Sequence, residues 1–262
     1  MRVSVGSGLR LSGRNVVTPL VGRSRLRAVT FDAAGTLFGL RDPVGAVYAA
    51  AALAHGLPPR EGLAELLEQR FREAFRALRP PEYRPGDRAH NDAEDRAWWR
   101  RLVVRVMGGL EPFALDAFFD EIWQTFAEPS VWQKYPDVDA VLQVLRGAGL
   151  RLAIVSNFDA RLVPVCRGLE LEPRVDTIVF AAQTGAAKPD PGIFREAVSR
   201  LGVIPGETLH VGDSFAEDVA GARAAGLHAV HLQRDAPKAR PQAGTDASAI
   251  RDLRGLAALI PA

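Results

Sequence analysis

The chain has 262 residues, of which 47% are hydrophobic and 24% are charged. These values are those of an average globular protein, and they exclude a wholly disordered chain, a collagen-like repeat and a small disulfide-rich domain. The single cysteine, Cys166, cannot form an internal disulfide. We therefore expect a reducing compartment and a cytoplasmic protein. No apolar run approaches the roughly 18 residues of a membrane span, so we expect no membrane contact.

The net charge of +2 is unevenly distributed along the chain. Residues 1–31 contain six arginines and no acidic residue, so the remainder of the chain carries a charge of −4. The basic excess therefore lies at the N-terminus, most of it in a flexible tail formed by residues 1–24, and we expect no nucleic-acid surface. The arginine-rich and acid-poor tail has the composition of a transit peptide, but an unstructured extension is the simpler interpretation.

Five short apolar runs alternate with helical segments along most of the chain. The runs are Leu26–Phe31, Leu150–Val155, Thr177–Ala181, Thr208–Val211 and His228–Leu232. The helical stretches lie near residues 137–148, 160–169, 190–201 and 215–225, and a last helix is predicted over Ser248–Leu259 after a loop at 235–247. This alternation predicts an α/β fold, a Rossmann-like parallel sheet with helices on both faces. Ligands bind such sheets beyond the C-terminal ends of the strands.

Residues 42–134 interrupt this alternation and contain no convincing strand. Their spacing predicts helices over Glu61–Leu78, Asp92–Met107 and Leu115–Phe126. We therefore expect a core formed by residues 25–41 and 135–262, and an inserted all-helical cap formed by residues 42–134. Linkers near Gly39–Pro43 and Lys134–Pro136 are expected to let the cap hinge. All four tryptophans fall in the cap, where helical spacing is more typical of a core than of a binding pocket.

Polar residues follow the first two apolar runs directly. Asp32 follows the first run, where a carboxylate can serve as a nucleophile. Ser156 and Asn157 follow the second run, where a hydroxyl and an amide suit an oxyanion or a phosphate. Turn formation is the structural alternative for each of these residues.

Two further polar groups occur later in the chain. Lys188 is one of only three lysines and precedes a predicted helix, where it can neutralise developing negative charge. Asp213 and Asp218 follow the fourth run and offer oxygen ligands to a hard cation. Several neighbours are predicted to have structural roles only, as helix starts, a capping box or a packed core histidine: Asp159, Asp190, Pro191, Ser214, Glu217 and His210.

In this order, the four polar groups resemble the motifs of the haloacid dehalogenase superfamily. The matching segments are FDAAGTL, VSNFD, KPDPGIF and VGDSFAEDVAGA, and the resemblance covers residues 26–232. The inserted helices match the subgroup with a helical cap between the first and second motifs, by position and helical character more than by motif.

The resemblance implies a hydrolase with a nucleophilic aspartate, most often a phosphatase that forms an aspartyl-phosphate. Asp32 would be the nucleophile, and Lys188 would be the second catalytic residue. Thr36, Ser156 and Asn157 would bind the substrate, a small phosphorylated molecule. The protein would act as a monomer or a homodimer.

The resemblance also implies a Mg²⁺ cofactor. The ion would be held by the carboxylates of Asp32 and Asp213 and by the backbone carbonyl of Ala34. Asp218 would complete this metal site by orienting metal-bound waters or Lys188. Mg²⁺ and the lysine together would supply most of the charge neutralisation that phosphoryl transfer needs.

Ala34 departs from the pattern of phosphatases in this family, which have a second aspartate at this position. That aspartate protonates the leaving group and then activates water, and such help is worth about 10²–10⁴-fold in rate. Alanine at this position is compatible with a slow phosphatase, with a preference for good leaving groups such as acyl phosphates, or with another activity.

Two alternatives follow from Ala34. A metal-independent 2-haloacid dehalogenase needs neither the second aspartate nor Mg²⁺, but it has little use for Asp213 and Asp218 together. A non-catalytic binding protein would retain the fold and the metal site without turnover. The phosphonate-cleaving branch tolerates alanine but needs a cap lysine, and residues 41–133 contain no lysine.

Overall fold

A computed structural model describes residues 26–110, 113–234 and 249–258. In chain order the strands are β1 (Ala28–Phe31), β2 (Phe38–Leu40), β3 (Trp132–Lys134), β4 (Arg151–Ser156), β5 (Thr177–Phe180), β6 (Thr208–Gly212), β7 (His228–Leu232) and β8 (Ala249–Ile250). The α-helices are α1 (Val44–Ala54), α2 (Leu63–Ala77), α3 (Arg88–Met107), α4 (Leu115–Thr125), α5 (Val138–Gly147), α6 (Leu162–Gly168), α7 (Ala181–Thr184), α8 (Pro191–Leu201) and α9 (Gly221–Ala224). A π-helix spans Phe215–Ala220, and a 3₁₀-helix spans Leu253–Ala258.

Six strands form one parallel sheet in the order β5–β4–β1–β6–β7–β8. Strand β1 lies inside the sheet, next to β6 at its centre: Phe31 lies opposite Ile154 of β4 on one side and opposite Val211 of β6 on the other. The predicted α/β fold is therefore confirmed. The residues that follow β4, β1 and β6 emerge side by side at one edge of the sheet, where ligands of such folds bind.

Helices cover both faces of this sheet. Along β4, Leu152 and Ile154 point into the hydrophobic cluster that includes α5 and α6, whereas Val155 points into the cluster that includes α8 and α9. Successive side chains of a strand point to opposite faces, so burial on both faces requires an almost continuous apolar run. This requirement explains why the strands of the large sheet could be predicted from the sequence.

The helices α1 to α4 lie between β2 and β3 in the chain. Helices α1 and α2 pack closely because Gly45 has no side chain; a Cβ atom there would lie 2.1 Å from the backbone oxygen of Ala64. The buried ring of Tyr48 makes edge-to-face contacts with Phe71 and Phe118, at centroid distances of 5.8 and 5.7 Å. The chain enters and leaves this region through β2 and β3, which pair as an antiparallel ribbon at the predicted linkers.

Some local predictions were wrong. Residues 132–134 form β3 inside the stretch expected to lack strands, because a three-residue strand leaves no periodic pattern. Helix α1 was not predicted, since its sequence VGAVYAAAALA has no polar face. In place of one terminal α-helix, the described residues form β8 and a 3₁₀-helix. The predicted tail, the loop at 235–247 and Ser248 lie outside the described residues.

Within the described ranges, none of the helices combines the length and the hydrophobicity needed to span a bilayer.

Candidate active site

Asp32 lies at the C-terminal end of β1 and is 6% exposed. Its backbone N–H donates to the carbonyl of Val211 on β6 at 2.9 Å, which continues the sheet ladder by one residue. Ser156, the last residue of β4, places its Oγ 3.4 Å from Asp32 Oδ1. The sheet register therefore brings the predicted nucleophile and a predicted substrate-binding hydroxyl together.

Lys188 is buried between two carboxylates. Its Nζ lies 2.6 Å from Asp32 Oδ1 and 2.6 Å from Asp218 Oδ1. Its backbone is held by Asn157, whose Oδ1 accepts from the Lys188 N–H at 2.6 Å and whose Nδ2 donates to the Lys188 carbonyl at 2.9 Å. The loop after β4 thus positions the lysine, and the lysine in turn orients Asp32.

Asp218 is held on both of its oxygen atoms. Besides Lys188, its Oδ1 contacts His210 Nε2 at 3.2 Å, and its Oδ2 accepts from the Ser214 N–H at 2.9 Å. His210 Nδ1 lies 2.8 Å from Thr30 Oγ1, so the buried histidine links Asp218 to β1. His210 lies in the core, as expected, but it also fixes a site residue, and sequence reasoning missed this second role.

Asp213 completes a cluster of three acidic residues. One oxygen atom of each of Asp32, Asp213 and Asp218 lies within 4.8 Å of the others. Gly35 lets Asp213 approach the loop after β1: its φ is +90°, and a Cβ atom there would lie 2.4 Å from Asp213 Oδ2. Three carboxylates face one ammonium group, and carboxylate oxygens are the ligands that Mg²⁺ prefers, so these residues fit a divalent cation.

The pKa values of the cluster reflect burial and charge together. Burial raises the pKa of Asp32, against the opposing effect of Lys188. Desolvation raises the pKa of Asp213 to about 7, with further contributions from the charges of Asp32 and Asp218. Burial alone would lower the pKa of Lys188 and raise that of Asp218. Their ionic contacts dominate, so the lysine pKa is raised and the Asp218 pKa is lowered.

A cavity of about 450 Å³ opens beside these residues, and Asp32, Ala34, Ser156, Asn157, Asp213 and Asp218 form part of its wall. Thr36 is not part of this wall. It is fully buried, and its Oγ1 has no hydrogen-bond partner among the described residues. The substrate-binding role of Thr36 therefore remains a prediction without support from the geometry.

Another part of the cavity wall is aromatic. It includes Phe71 and Phe75 of α2, Trp99 of α3, and Trp132. The expectation that the tryptophans pack in a core therefore describes only part of their role. The spacing of Phe71 and Phe75 on one helix face is visible in the sequence, but only the fold shows that this face meets the strand ends.

Glu217 and Asp159 each make a contact beyond their predicted roles. The N–H of Glu217 donates to Ser214 Oγ at 3.3 Å, as a capping box predicts, but its carboxylate lies 3.2 Å from Asn157 Nδ2. Asp159 Oδ1 accepts from the Arg161 N–H at 3.0 Å, so it caps the turn that leads into α6, which begins at Leu162. Asp159 also forms a buried ion pair with Arg161, at 2.6 Å between Oδ2 and Nη2, which was not predicted. The predicted helix start at Asp190 is confirmed, since its side chain accepts from a backbone N–H in the first turn of α8.

A second cavity of about 480 Å³ adjoins the first one and reaches Asp95 on α3. Asp95 is 3% exposed, and its Oδ1 accepts a hydrogen bond from the Tyr83 hydroxyl at 2.5 Å. Its Oδ2 is buried and has no hydrogen-bond partner within the described part of the chain. Burial is the main cause that raises the pKa of Asp95 to about 7.

A family model described as haloacid dehalogenase-like hydrolase matches residues 26–226. The chain belongs to this family. The resemblance seen in the sequence motifs is therefore confirmed. The roles of Asp32, Lys188 and their neighbours within this family stay predictions.

Proteins that resemble this chain are named after two different activities, phosphatase and dehalogenase. This hydrolase is 37% identical over 209 residues to haloacid dehalogenase-like hydrolase domain-containing protein 3 of Mus musculus, with 79% of this chain and 81% of that protein covered. It resembles a HAD phosphatase from Thermococcus onnurineus at 26% identity and a TM-score of 0.61, covering 89% and 97% of the two chains. It also resembles a 2-haloacid dehalogenase from Pseudomonas syringae at 25% identity and a TM-score of 0.57, covering 89% and 97%. Membership of the family alone does not select between these activities.

We expect Lys188→Met to destabilise the fold strongly. The change leaves Asp32 and Asp218 buried close together without their shared cation, and removal of one partner of a buried ion pair costs about 3–5 kcal/mol. Urea unfolding measures the loss. Lys134→Met is the matched control, because Lys134 pairs with the half-exposed Asp139 and should lose no more than about 1 kcal/mol. Equal losses in the two variants would contradict this account of Lys188.

We expect Asp95 to make the fold less stable as pH rises. The pKa of Asp95 is about 7 in the folded chain and near 3.8 when the group is unperturbed, as in the unfolded chain. Its contribution to the free energy of unfolding is therefore complete below about pH 4 and is lost as the pH rises from 4 to 7. Asp95→Asn removes this loss, so from pH 5 to pH 8 the variant should gain about 3 kcal/mol relative to the unchanged protein. Urea unfolding at both pH values tests this expectation. Asp92→Asn is the control on the same helix, and an equal gain there would contradict the assignment to Asp95.

Proposed function

We propose that this hydrolase is a Mg²⁺-dependent phosphatase that acts through an aspartyl-phosphate on Asp32. The observation that carries the proposal is the cluster of Asp32, Asp213 and Asp218 around a single lysine. If all three carboxylates are ionised, the four groups have a net charge of −2, which a divalent cation would neutralise. Removal of a halide from carbon by an aspartate requires no cation, so a metal-independent dehalogenase gives no reason for Asp213 beside Asp32.

The carboxylates of Asp32 and Asp213 and the carbonyl of Ala34 would hold the ion. Both oxygen atoms of Asp218 are already engaged by Lys188, His210 and Ser214, which favours a positioning role for Asp218 within the proposed metal site. When bound, Mg²⁺ supplies charge neutralisation for the transferring phosphoryl group.

In the proposed reaction, a carboxylate oxygen of Asp32 forms a bond to phosphorus while the bond from phosphorus to the leaving oxygen breaks. The leaving group departs with the bonding electron pair. Lys188 holds Asp32 in place and stabilises negative charge on the phosphoryl oxygens, with Ser156 and Asn157 beside it. Water then attacks phosphorus, releases inorganic phosphate and restores the Asp32 carboxylate.

Ala34 determines which leaving groups are suitable. Its methyl group lies in the cavity wall beside Asp32 and cannot donate a proton to the leaving oxygen. Acyl and aryl phosphates release stable anions and therefore need such help least. We infer that the enzyme prefers them over simple alkyl phosphates, by about 10²-fold or more, the lower end of the usual contribution of acid–base catalysis.

Phosphate release tests the proposed function. The panel contains acetyl phosphate, phenyl phosphate and glycerol 2-phosphate, each with Mg²⁺ and with EDTA. We expect metal-dependent release in the order acyl, aryl, alkyl, and loss of release in Asp32→Asn. Asp42→Asn, an exposed aspartate near the start of α1, is the matched control and should retain the activity.

Two outcomes would contradict the proposed function. Halide release from 2-chloropropionate in EDTA, without phosphate release from any ester, would establish the metal-independent dehalogenase. Absence of both activities in a folded protein that still binds Mg²⁺ would favour the non-catalytic binding protein.

A further inference from the structure

The two cavities adjoin each other between the strand ends and the inserted helices. They share Phe75, Trp99, Asn157 and Glu217 in their walls. Asp32 lies in the wall of the first cavity, and Asp95 lies in the wall of the second. A substrate whose phosphoryl group contacts Asp32 therefore has room to extend its leaving group toward Asp95.

Aromatic rings line this path. The side chain of Phe75 is 49% exposed although its ring stacks on Phe71 at a centroid distance of 5.7 Å and contacts Trp98 edge-to-face at 5.4 Å. Trp99 lies beside them, with its ring 6.3 Å from that of Phe75. Exposed rings inside a cavity favour a flat apolar ligand, which would remove them from water.

The far end of the path holds an acceptor without a donor, although Arg76 and Lys188 also belong to the wall of this cavity. Tyr83 uses its hydroxyl hydrogen on Asp95 Oδ1, and Asp95 Oδ2 is left without a partner in the described residues. A buried carboxylate oxygen without a donor costs free energy, and such groups in native structures are usually satisfied by a ligand or water. An N–H or ammonium group of a ligand would supply the missing hydrogen bond.

The charges around Asp95 do not replace that donor. Asp92 and Asp159 repel the Asp95 carboxylate and Arg161 attracts it, and no hydrogen bond from Arg161 reaches Asp95 within the described chain. The Arg161 guanidinium is instead directed to Asp159, to the Trp123 carbonyl and to the face of the Trp123 ring at 3.8 Å. Along the path, Glu217 adds a second carboxylate.

We propose that this space binds the leaving group, and that Asp95 is a specificity residue that selects leaving groups with a flat apolar body and an ammonium or N–H donor at the far end. This inference rests on the proposed phosphatase function, because it assigns the part of the substrate that leaves. The raised pKa of Asp95 is consistent with it, since a cationic ligand would stabilise the ionised carboxylate that the empty protein disfavours.

A matched pair of substrates tests the inference. One is 4-(aminomethyl)phenyl phosphate, and the other is 4-ethylphenyl phosphate, which has the same shape without the ammonium group. At pH 8 we expect kcat/KM to favour the ammonium compound by about 10-fold, the value of one hydrogen bond to a charged group, with most of the difference in KM. In Asp95→Asn we expect this ratio to fall to within about 2-fold of unity.

Asp92→Asn is the matched control. Asp92 lies one turn earlier on α3, pairs with Arg88 at 2.6 Å and is absent from the walls of both cavities, so the ratio should stay unchanged. A ratio of one in the unchanged protein, or an equal ratio in Asp95→Asn and the unchanged protein, would overturn the inference. If Asp95 had only a structural role, its replacement would change kcat/KM for both substrates alike, and the ratio would stay the same.

A binding measurement separates failure of this inference from failure of the phosphatase proposal. The free leaving groups, 4-(aminomethyl)phenol and 4-ethylphenol, are titrated against tryptophan fluorescence, since Trp98 and Trp99 lie in the cavity wall. We expect tighter binding of the amine, and loss of that preference in Asp95→Asn, whether or not any phosphate ester is hydrolysed. Equal affinities for the two phenols would overturn the inference even if phosphatase activity is present.

Discussion

The site depends on one buried ammonium group held between two carboxylates. Lys188 Nζ lies 2.6 Å from Asp32 and 2.6 Å from Asp218, and all three side chains are almost completely buried. Charges are costly to bury unless they are paired and hydrogen-bonded, so the surrounding chain must hold this geometry closely. Asn157 does so through the lysine backbone, and His210 and Ser214 do so through Asp218. Each of these contacts fixes the position of the central carboxylate, Asp32.

The parallel sheet explains how distant parts of the chain reach this point. Strands β4, β1 and β6 are neighbours in the sheet. Ser156, Asp32 and Asp213 lie at the C-terminal ends of these strands, so they meet at one edge of the sheet although they are far apart in sequence. Two glycines permit the close approach of the acidic side chains. Gly35 makes room for Asp213, and a Cβ atom at Gly212 would lie 2.1 Å from Asp218 Cγ. The concentration of negative charge that suits a cation thus follows from strand order and from these two small residues.

Much of the fold and of the polar site could be predicted from the sequence. A strand buried on both faces is an apolar run, and a polar residue such as Asp32 at its end is conspicuous. The order of the four groups then matched a known family, to which the chain belongs. The short pairing of β2 with β3 and the uniformly apolar α1 lack such a pattern, and both were missed.

The parts of the site that were missed depend on tertiary contacts. Glu217 has the spacing of a capping residue, and only the packed chain shows its carboxylate beside Asn157. Asp95 occupies an unremarkable position in a charged helix, and its burial against Tyr83 arises from the packing of α3. Local sequence patterns indicate which faces of helices and strands are buried, but they do not indicate which of these faces meet across a cavity. The side of the inserted helices that lines the cavities could therefore not be predicted from the sequence.

In the proposed reaction Asp32, held by Lys188, becomes covalently attached to the group it attacks. Acid quenching during turnover of acetyl phosphate with Mg²⁺, followed by proteolysis and mass spectrometry, tests this claim directly. We expect a phosphoryl group on the peptide that contains Asp32, and no such group on the same peptide of Asp32→Asn. Phosphate release with the modification on another residue would contradict the claim, and so would release at an undiminished rate from Asp32→Asn.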